Sequence, residues 1–468
     1  VMIGNDVLDL TVTELAERIR TRKLSPVELT EGYLRRSETV GARLNAYATI
    51  TRERALNEAR QAEKEIAAGR YRGPLHGIPY AAKDLLAAAG YPTEWGARPY
   101  RGQTFDEDAH VIRLLRQSGA ILLGKAAMIE LAGGMGYRYG TASISGGTKN
   151  PWDERCWTCG SSSGSGAIVA AGLAGFAIGT ETWGSILCPS AYCGVSGLRP
   201  TFGRVGRSGA MALSYSMDKI GPMARSAEDC AFILAAISGH DPKDLHSLPD
   251  EQAAYGFSRK ARPLRIGRVT NQWASIQPDV QKATDAAFET LRAAGATIVD
   301  VQLPEGPWEM AAGLTIQVEG AAAFDTLIDS GRVSELVDPG SRIGGYISQS
   351  ISGADYLRAQ RIRTLLQTAI DRLFEEVDVL SNASLPVAAT AMEANLETDL
   401  AFSDPLGGIG NFCGLPAISV PSGFTSANLP TGIQFVGRAL ADDDVVAAAR
   451  LFQSKTEWHR RRPPTSRS

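Results

Sequence analysis

The sequence predicts an α/β fold built on a central mixed, mostly parallel β-sheet with helices on both faces. Three observations lead there. Short, nearly uninterrupted apolar runs recur along the chain, and such runs read as strands buried on both sides rather than half-exposed ones. Helical patterns lie between them, and strands that alternate with helices cross over to pair in parallel. One segment, Arg265 to Val301, shows the whole unit: an apolar run, a helical pattern from Pro278 to Ala294, Gly295 as its stop, and a second apolar run.

The N-terminal part reads as helical. Thr11-x-x-Glu14 is a capping box, and Ser25-Pro26-Val27-Glu28 joins a capping serine, a first-turn proline and a glutamate placed to close the box. Two amphipathic helices therefore precede any strand. Helix starts recur at Thr104-x-x-Glu107 and Ser226-x-x-Asp229, with Gly119 and Gly239 placed to end those helices in the left-handed conformation. Buried strands are predicted at Gly77 to Ala82, Ala120 to Gly124, Leu264 to Val269, Thr297 to Val301, Val377 to Leu380 and Gly432 to Val436. The longest apolar stretch, Ala167 to Gly179, is shorter than the roughly 18 residues of a membrane helix and is interrupted by Gly172 and Gly175. It reads as a buried helix followed by a strand. No repeat of solenoid or propeller period is present, and the tail, His459 to Ser468, with its arginines and prolines, reads as frayed.

At 468 residues the chain suggests about three ordinary domains or one large one. Hydrophobic residues at 44% and charged residues at 21% exclude a disordered, collagen-like or polyelectrolyte chain. The 48 basic and 51 acidic residues leave a net charge of −3, which provides no global field for nucleic acid or an acidic membrane. The expected partner is a small molecule, with no nucleic acid and no membrane. The five histidines, His76, His110, His240, His246 and His459, contain no helical zinc pair. Six cysteines are too few for a disulfide-stapled secreted fold, and Val1-Met2-Ile3-Gly4-Asn5-Asp6 lacks a basic-then-apolar leader, so a cytoplasmic protein is expected. Cys156-x-x-Cys159 finds no second pair to complete a four-ligand zinc site, and no metal is expected.

Chemistry concentrates between Cys159 and Pro200, where small residues crowd both sides of an apolar helix and let backbone amides approach a ligand closely. Alone, this pattern also suits a phosphate-cradling loop or a flexible linker, but neither G-x-x-x-x-G-K-[ST] nor G-x-G-x-x-G with its acidic partner is present. Three ordered blocks are more specific: Gly77-Ile78-Pro79-Tyr80-Ala81-Ala82-Lys83-Asp84, Gly160-Ser161-Ser162-Ser163-Gly164-Ser165 and Gly179-Thr180-Glu181-Thr182-Trp183-Gly184-Ser185-Ile186. Together they closely resemble the amidase signature family. The likeness continues in Cys193 to Thr201, in Asp218-x-x-Gly221-Pro222, and from Gly414-Leu415-Pro416-Ala417 to Gly432-Ile433-Gln434. It covers nearly the whole chain and implies one large domain over residues 1–458, with 459–468 as the tail.

The resemblance implies an amide hydrolase with a catalytic triad of Ser185 as nucleophile, Ser161 on a cis peptide as relay and Lys83 as base, without cofactor or metal. The spacing of 24 residues between the serines (185 − 161) matches the family's. The chemistry asks for these residue types. Serine is a weak nucleophile unless its proton leaves as it attacks. A lysine can take that proton only when neutral, and burial favours the neutral form. The resemblance also places the oxyanion hole on the backbone N–H groups of Thr182, Trp183, Gly184 and Ser185. Ser162 reads as a structural residue, either a helix cap or a hydrogen-bond donor to the triad. Asp84 reads as structural too, because a carboxylate partner would keep Lys83 protonated. Ser163, Ser165, Cys188 and Cys193 read as packing residues.

Against the family pattern Gly-Thr-Asp-Thr-Gly-Gly-Ser-Ile-Arg, this chain has Glu181 for Asp, Trp183 for a Gly and Leu187 for Arg. Leu187 removes a cation near the nucleophile, which points to neutral, partly apolar substrates. Counting back from Asn150-Pro151-Trp152 places Met135 at a substrate-contacting position. Gly133, Gly134, Tyr137 and Tyr139 offer an adaptable aromatic wall, Trp183 a further side of it, although Met135 and the tyrosines equally suit the core. An apolar cleft at Ser185 beneath Met135 and Trp183 is therefore expected. The leading expectation is a monomeric or homodimeric hydrolase of neutral amides that also accepts esters or carbamates (urethanes). The alternative is the glutaminase, the amidase component, of a tRNA-dependent amidotransferase. Intact Lys83, Ser161 and Ser185 argue against a binding protein that merely kept the fold.

Overall fold

The N-terminal helices form where the capping signals place them. In the computed structural model, which describes residues 3–467, Thr11 and Glu14 close their capping box at the head of Val12–Arg20. The reading of the N-terminus as leaderless rests in part on Val1 and Met2, which lie outside the described residues. Ser25 Oγ accepts from the N–H groups of Val27 and Glu28 at the head of Pro26–Arg36, as its sequence position predicts. Ser226 caps Ala227–Ile237 by accepting from Asp229 N.

The signal at Thr104 does not start a helix. Thr104 bridges to Pro92 instead, and Asp108 takes the Arg54 guanidinium at 2.8 and 2.9 Å and the Ala89 N–H at 2.8 Å. With those polar groups committed to tertiary contacts, the helix begins only at His110–Gln117, without a side-chain cap.

Among the described residues, eleven strands form one sheet. From one edge to the other they run Tyr47–Ile50, Ile121–Ala126, Pro79–Lys83, Phe176–Glu181, Lys219–Ala224, Ser196–Arg199, Ala417–Phe424, Pro430–Gly437, Val379–Ala383, Arg265–Val269 and Thr297–Val301. Pro79–Lys83 pairs in parallel with Ile121–Ala126 and Phe176–Glu181, and Arg265–Val269 with Val379–Ala383 and Thr297–Val301. Antiparallel pairing through Lys219–Ala224, Ser196–Arg199, Ala417–Phe424 and Pro430–Gly437 joins the two parallel blocks into the mixed sheet. Every residue of Pro79–Lys83, Ile121–Ala126, Phe176–Glu181, Lys219–Ala224 and Pro430–Gly437 is buried. Burial of both side-chain faces requires the helical cover that flanks the sheet.

The apolar stretch from Ala167 resolves into the helix Ser163–Ala171, stopped at Gly172 with φ +65°, followed by Phe176–Glu181. Its small residues answer a steric demand. A Cβ on Gly164 would collide with the backbone of Ala46 and Ala127, so the head of this helix lies directly on neighbouring chain. Cys156 and Cys159 belong to a satellite apolar cluster with Trp157, Tyr192 and Ile129 beside this helix. One continuous core otherwise runs from the N-terminal helices to Asp442–Gln453, as a single domain requires.

The described part of the C-terminal tail, residues 459–467, differs from the expectation of fraying, and Ser468 lies outside the described residues. His459 and Thr465 are buried, Arg462 donates to the Asp9 carbonyl at 2.7 Å, and Thr465 Oγ1 donates to the Pro151 carbonyl. Arginine and proline composition suggested a solvated end, but backbone carbonyls of the body satisfy these donors. No helix among the described residues is long and apolar enough to cross a membrane.

Candidate active site

Lys83 is the last residue of its strand, and Phe176–Glu181 lies parallel beside it, so Lys83 and Thr180 emerge at the same end of two neighbouring interior strands. Lys83 Nζ donates to Thr180 Oγ1 at 2.9 Å and lies 2.7 Å from Ser161 Oγ. Its side chain is wholly buried. Burial lowers its pKa to about 7 against the opposing influence of Asp218 and Glu181, so much of this amine is neutral near neutral pH.

Ser161 follows a cis peptide bond after Gly160, in the turn between Asp153–Trp157 and Ser163–Ala171. Ser185 lies in the loop between Phe176–Glu181 and Leu187–Cys193. The two serine-bearing turns touch through the Ser162 N–H, which donates to the Ser185 carbonyl at 3.3 Å. Among the described residues Ser185 Oγ makes no hydrogen bond, and Ser185 is 8% exposed where Ser161 is 1%. The structure thus joins Lys83 to Ser161 directly and leaves the Ser185 hydroxyl at the open end of the group.

Ser162 occupies the N-cap position of its helix without making a capping bond. Its hydroxyl instead donates to the Thr180 carbonyl at 3.1 Å and accepts from the Thr180 N–H at 3.2 Å, stitching the cis turn to the strand. Asp84 turns away from Lys83 and pairs with buried Lys125 at 3.0 Å.

Glu181 cinches the loop that carries Ser185. Its carboxylate accepts from the N–H groups of Ile186 at 2.8 Å and Leu187 at 2.9 Å and from Arg199 at 2.8 Å. Burial alone would raise its pKa, but the Arg199 guanidinium and the backbone donors outweigh that and hold it at about 2. Residues 182–185 are therefore closed into a loop whose two ends meet one carboxylate. Arg199→Met would leave that charge buried without its cation. We expect a loss of about 3–5 kcal/mol in urea unfolding. The double variant with Glu181→Gln is expected to recover part of it, because no charge is then stranded.

The loop presents free donors. Among the described residues the N–H groups of Trp183, Gly184 and Ser185 meet no acceptor. Thr182 is held by its side chain, which donates to Asp218 at 2.6 Å. Gly184 has φ +85°, a conformation suited to glycine, with Cys188 packed beneath it. Successive unpaired N–H groups beside a serine are the arrangement that stabilises an oxyanion.

The expected wall is only partly assembled. Tyr137 is half-buried beside Gly160, and Trp183 anchors its indole N–H on Asp404 at 2.9 Å, so both stand next to the serine turns. Met135 is instead a core residue, 4% exposed and packed under Gly345 of the helix Ser341–Gln349. Gly134 lies beneath Leu213 and Phe324. None of the four lines the cavity beside the site, a space of about 430 Å³ walled by Leu85, Met211, Leu213 and Ile220 together with Arg207 and Asp244 and reaching Thr180 and Thr182. The contribution of residues 207–215 to that wall was missed from sequence. Its only signal was a Gly- and Ser-bearing loop ahead of Asp218-x-x-Gly221-Pro222.

The chain is similar to known proteins along nearly its whole length. The family model described as Amidase matches residues 28–446. A glutamyl-tRNA(Gln) amidotransferase chain of Geobacter metallireducens is 36% identical over 97% of this chain and 99% of its own. Its namesake in Geobacter sulfurreducens is 37% identical, again over 97% and 99%. Among solved structures, native peptide amidase from Stenotrophomonas maltophilia superposes with a TM-score of 0.83 at 31% identity, covering 97% of this chain and 98% of that one. A chain from an inhibitor-bound vestigial protein complex, linked to the origins of an s-triazine catabolic enzyme, reaches a TM-score of 0.87 at 29% identity, covering 95% and 98%. With its blocks, its fold and its full-length relatives in agreement, the chain belongs to the amidase family, the amidase signature enzymes.

Proposed function

We propose that this enzyme hydrolyses the carbon–nitrogen bond of neutral, partly apolar amides through an acyl-enzyme on Ser185. The observation that carries this reading is Lys83 Nζ at 2.7 Å from Ser161 Oγ, in surroundings dry enough to keep much of the amine neutral. As Ser185 Oγ attacks the carbonyl carbon, its proton passes to Ser161 and the Ser161 proton to Lys83. The substrate oxygen becomes negative and meets the N–H groups of Thr182, Trp183, Gly184 and Ser185. Collapse breaks the carbon–nitrogen bond, and the proton returns along the relay to the departing amine. Water then attacks the ester by the same route, releasing the acid and restoring Ser185. Esters and carbamates present the same carbonyl to the same serine. Buried, apolar Leu187 and the apolar part of the cavity wall, Leu85, Met211, Leu213 and Ile220, support neutral substrates.

A second reading, the glutaminase component of a tRNA-dependent amidotransferase, is favoured by the curated relatives, which carry that enzyme's name at 36–37% identity along the whole chain. The two readings separate in one experiment. The isolated chain is assayed on glutamine, short aliphatic amides, aryl amides, peptide amides, esters and carbamates, alone and after pull-down of any tRNA-binding partner. We expect the isolated chain to cleave an aryl amide with kcat/KM at least about tenfold above that for glutamine, a difference of about 1.4 kcal/mol in transition-state binding. Glutamine hydrolysis that appears only with the partner would establish the second reading in its place.

A further inference from the structure

Opposite Glu181 in the antiparallel pairing of two central strands lies a second buried lysine, Lys219. It is 2% exposed and, among the described residues, forms no salt bridge. Its Nζ donates to the Met217 carbonyl and, at 3.4 Å, to the Thr182 carbonyl. Burial, reinforced by Arg199, drives its pKa well below the usual lysine value. Methionine would fill the same space without stripping an amine of water. What lysine adds at this point is an N–H donor aimed at the loop that carries the nucleophile.

We propose that Lys219 is a positioning residue for the oxyanion hole, holding the Thr182 carbonyl so that the Trp183 N–H on the same peptide faces the developing negative oxygen. The inference rests on the acyl-enzyme reading given above. A trans peptide is planar, and its carbonyl and N–H point in opposite directions, so fixing one aims the other. The neighbouring residue completes the clamp. Asp218 accepts from Thr182 Oγ1 at 2.6 Å and is itself fixed by the N–H groups of Leu213 at 2.8 Å and Ser214 at 3.0 Å. Glu181 ties down the far end of the loop at Ile186 and Leu187. Thr182 and Lys219 also border the 430 Å³ cavity, so without Lys219 the Thr182 carbonyl has open space into which to rotate. Oxyanion donors act only when they are already in place as charge develops.

The test uses Lys219→Met on the full chain, with the panel amide that the wild type cleaves fastest. The kcat is expected to fall about tenfold to a hundredfold with KM within about twofold, as for a catalytic group displaced by a fraction of an ångström to one ångström. Affinity for phenylboronic acid, whose tetrahedral adduct on Ser185 places an oxygen in the same hole, falls by a similar factor. Lys219→Gln keeps an N–H donor and recovers part of kcat. Lys219→Leu gives the same comparison if the methionine variant does not fold. A folded variant with wild-type kcat overturns the proposal, as does a kcat loss with unchanged boronic acid affinity, or equal losses in the Gln and Met variants. Ser185→Ala run in parallel keeps the two levels apart. Hydrolysis at near wild-type rate there sinks the acyl-enzyme reading, whereas a Ser185→Ala slowed by roughly 10³-fold or more beside a fully active Lys219→Met sinks only the role of Lys219.

Discussion

Ser185→Ala is expected to lower hydrolysis of every cleaved substrate by roughly 10³-fold or more, the scale on which removal of a nucleophile acts when the remaining donors still bind the carbonyl. Stability should hardly move. The Ser185 hydroxyl makes no hydrogen bond among the described residues and stands at the open end of the site, so truncation strands no partner. The change in unfolding free energy is expected within about 0.5 kcal/mol, as for substitutions away from core and networks. Labelling by a serine-directed fluorophosphonate should disappear with activity. Ser161→Ala offers the contrast, because it removes a direct neighbour of Lys83 at 2.7 Å and should cost both rate and stability. A Ser185→Ala protein that turned over at wild-type rate would move the nucleophile elsewhere.

What could be read from the sequence follows a physical pattern. Helix heads at Thr11, Ser25 and Ser226 were legible because a cap is a local bond between residues a few positions apart. Thr104 failed for the complementary reason: it bridges to Pro92, and Glu107 accepts from distant Lys243. The strands Arg265–Val269 and Thr297–Val301 stood out as apolar runs, whereas Lys219–Ala224 was hidden by its lysine, glycine and proline. Only the finished sheet shows that this lysine faces Glu181 and reaches the Thr182 carbonyl. The grouping of Lys83 with Ser161 came from motif order, which no periodicity supplies. Met135 shows the limit of counting along a chain: the position lies near the site, but Gly345 lets a helix close over it. The cavity wall at residues 207–215 commits its polar side chains to structural partners, Arg207 to Asp244 and Ser208 to Asp241, and shape made by packing leaves little trace in residue types.

The pH profile isolates Lys83, because only its neutral form can take a proton from Ser161. With a pKa of about 7 in the folded protein, kcat/KM is expected to rise about tenfold per pH unit below pH 7 and to level off about one unit above it. Burial sets the direction of that shift, and Asp218 and Glu181 limit it. Lys83→Met should remove the rising limb and reduce the rate by about 10²–10⁴-fold, the range of a general base. Stability should respond in the opposite sense. The unfolded chain holds the Lys83 proton up to the ordinary value of 10.5, and the folded chain releases it near 7. Between those values the unfolded state binds more protons, so this group's contribution to stability rises with pH across the window and is least favourable below pH 7. Lys83→Met abolishes that penalty at the cost of the Ser161 and Thr180 contacts, each worth about 1 kcal/mol. The variant is therefore expected to be inactive yet at least as stable as the wild type at pH 7 or below, with the difference shrinking toward pH 10. A rising limb centred near pH 10, or a Lys83→Met protein that kept its rate, would show that this amine is not the base.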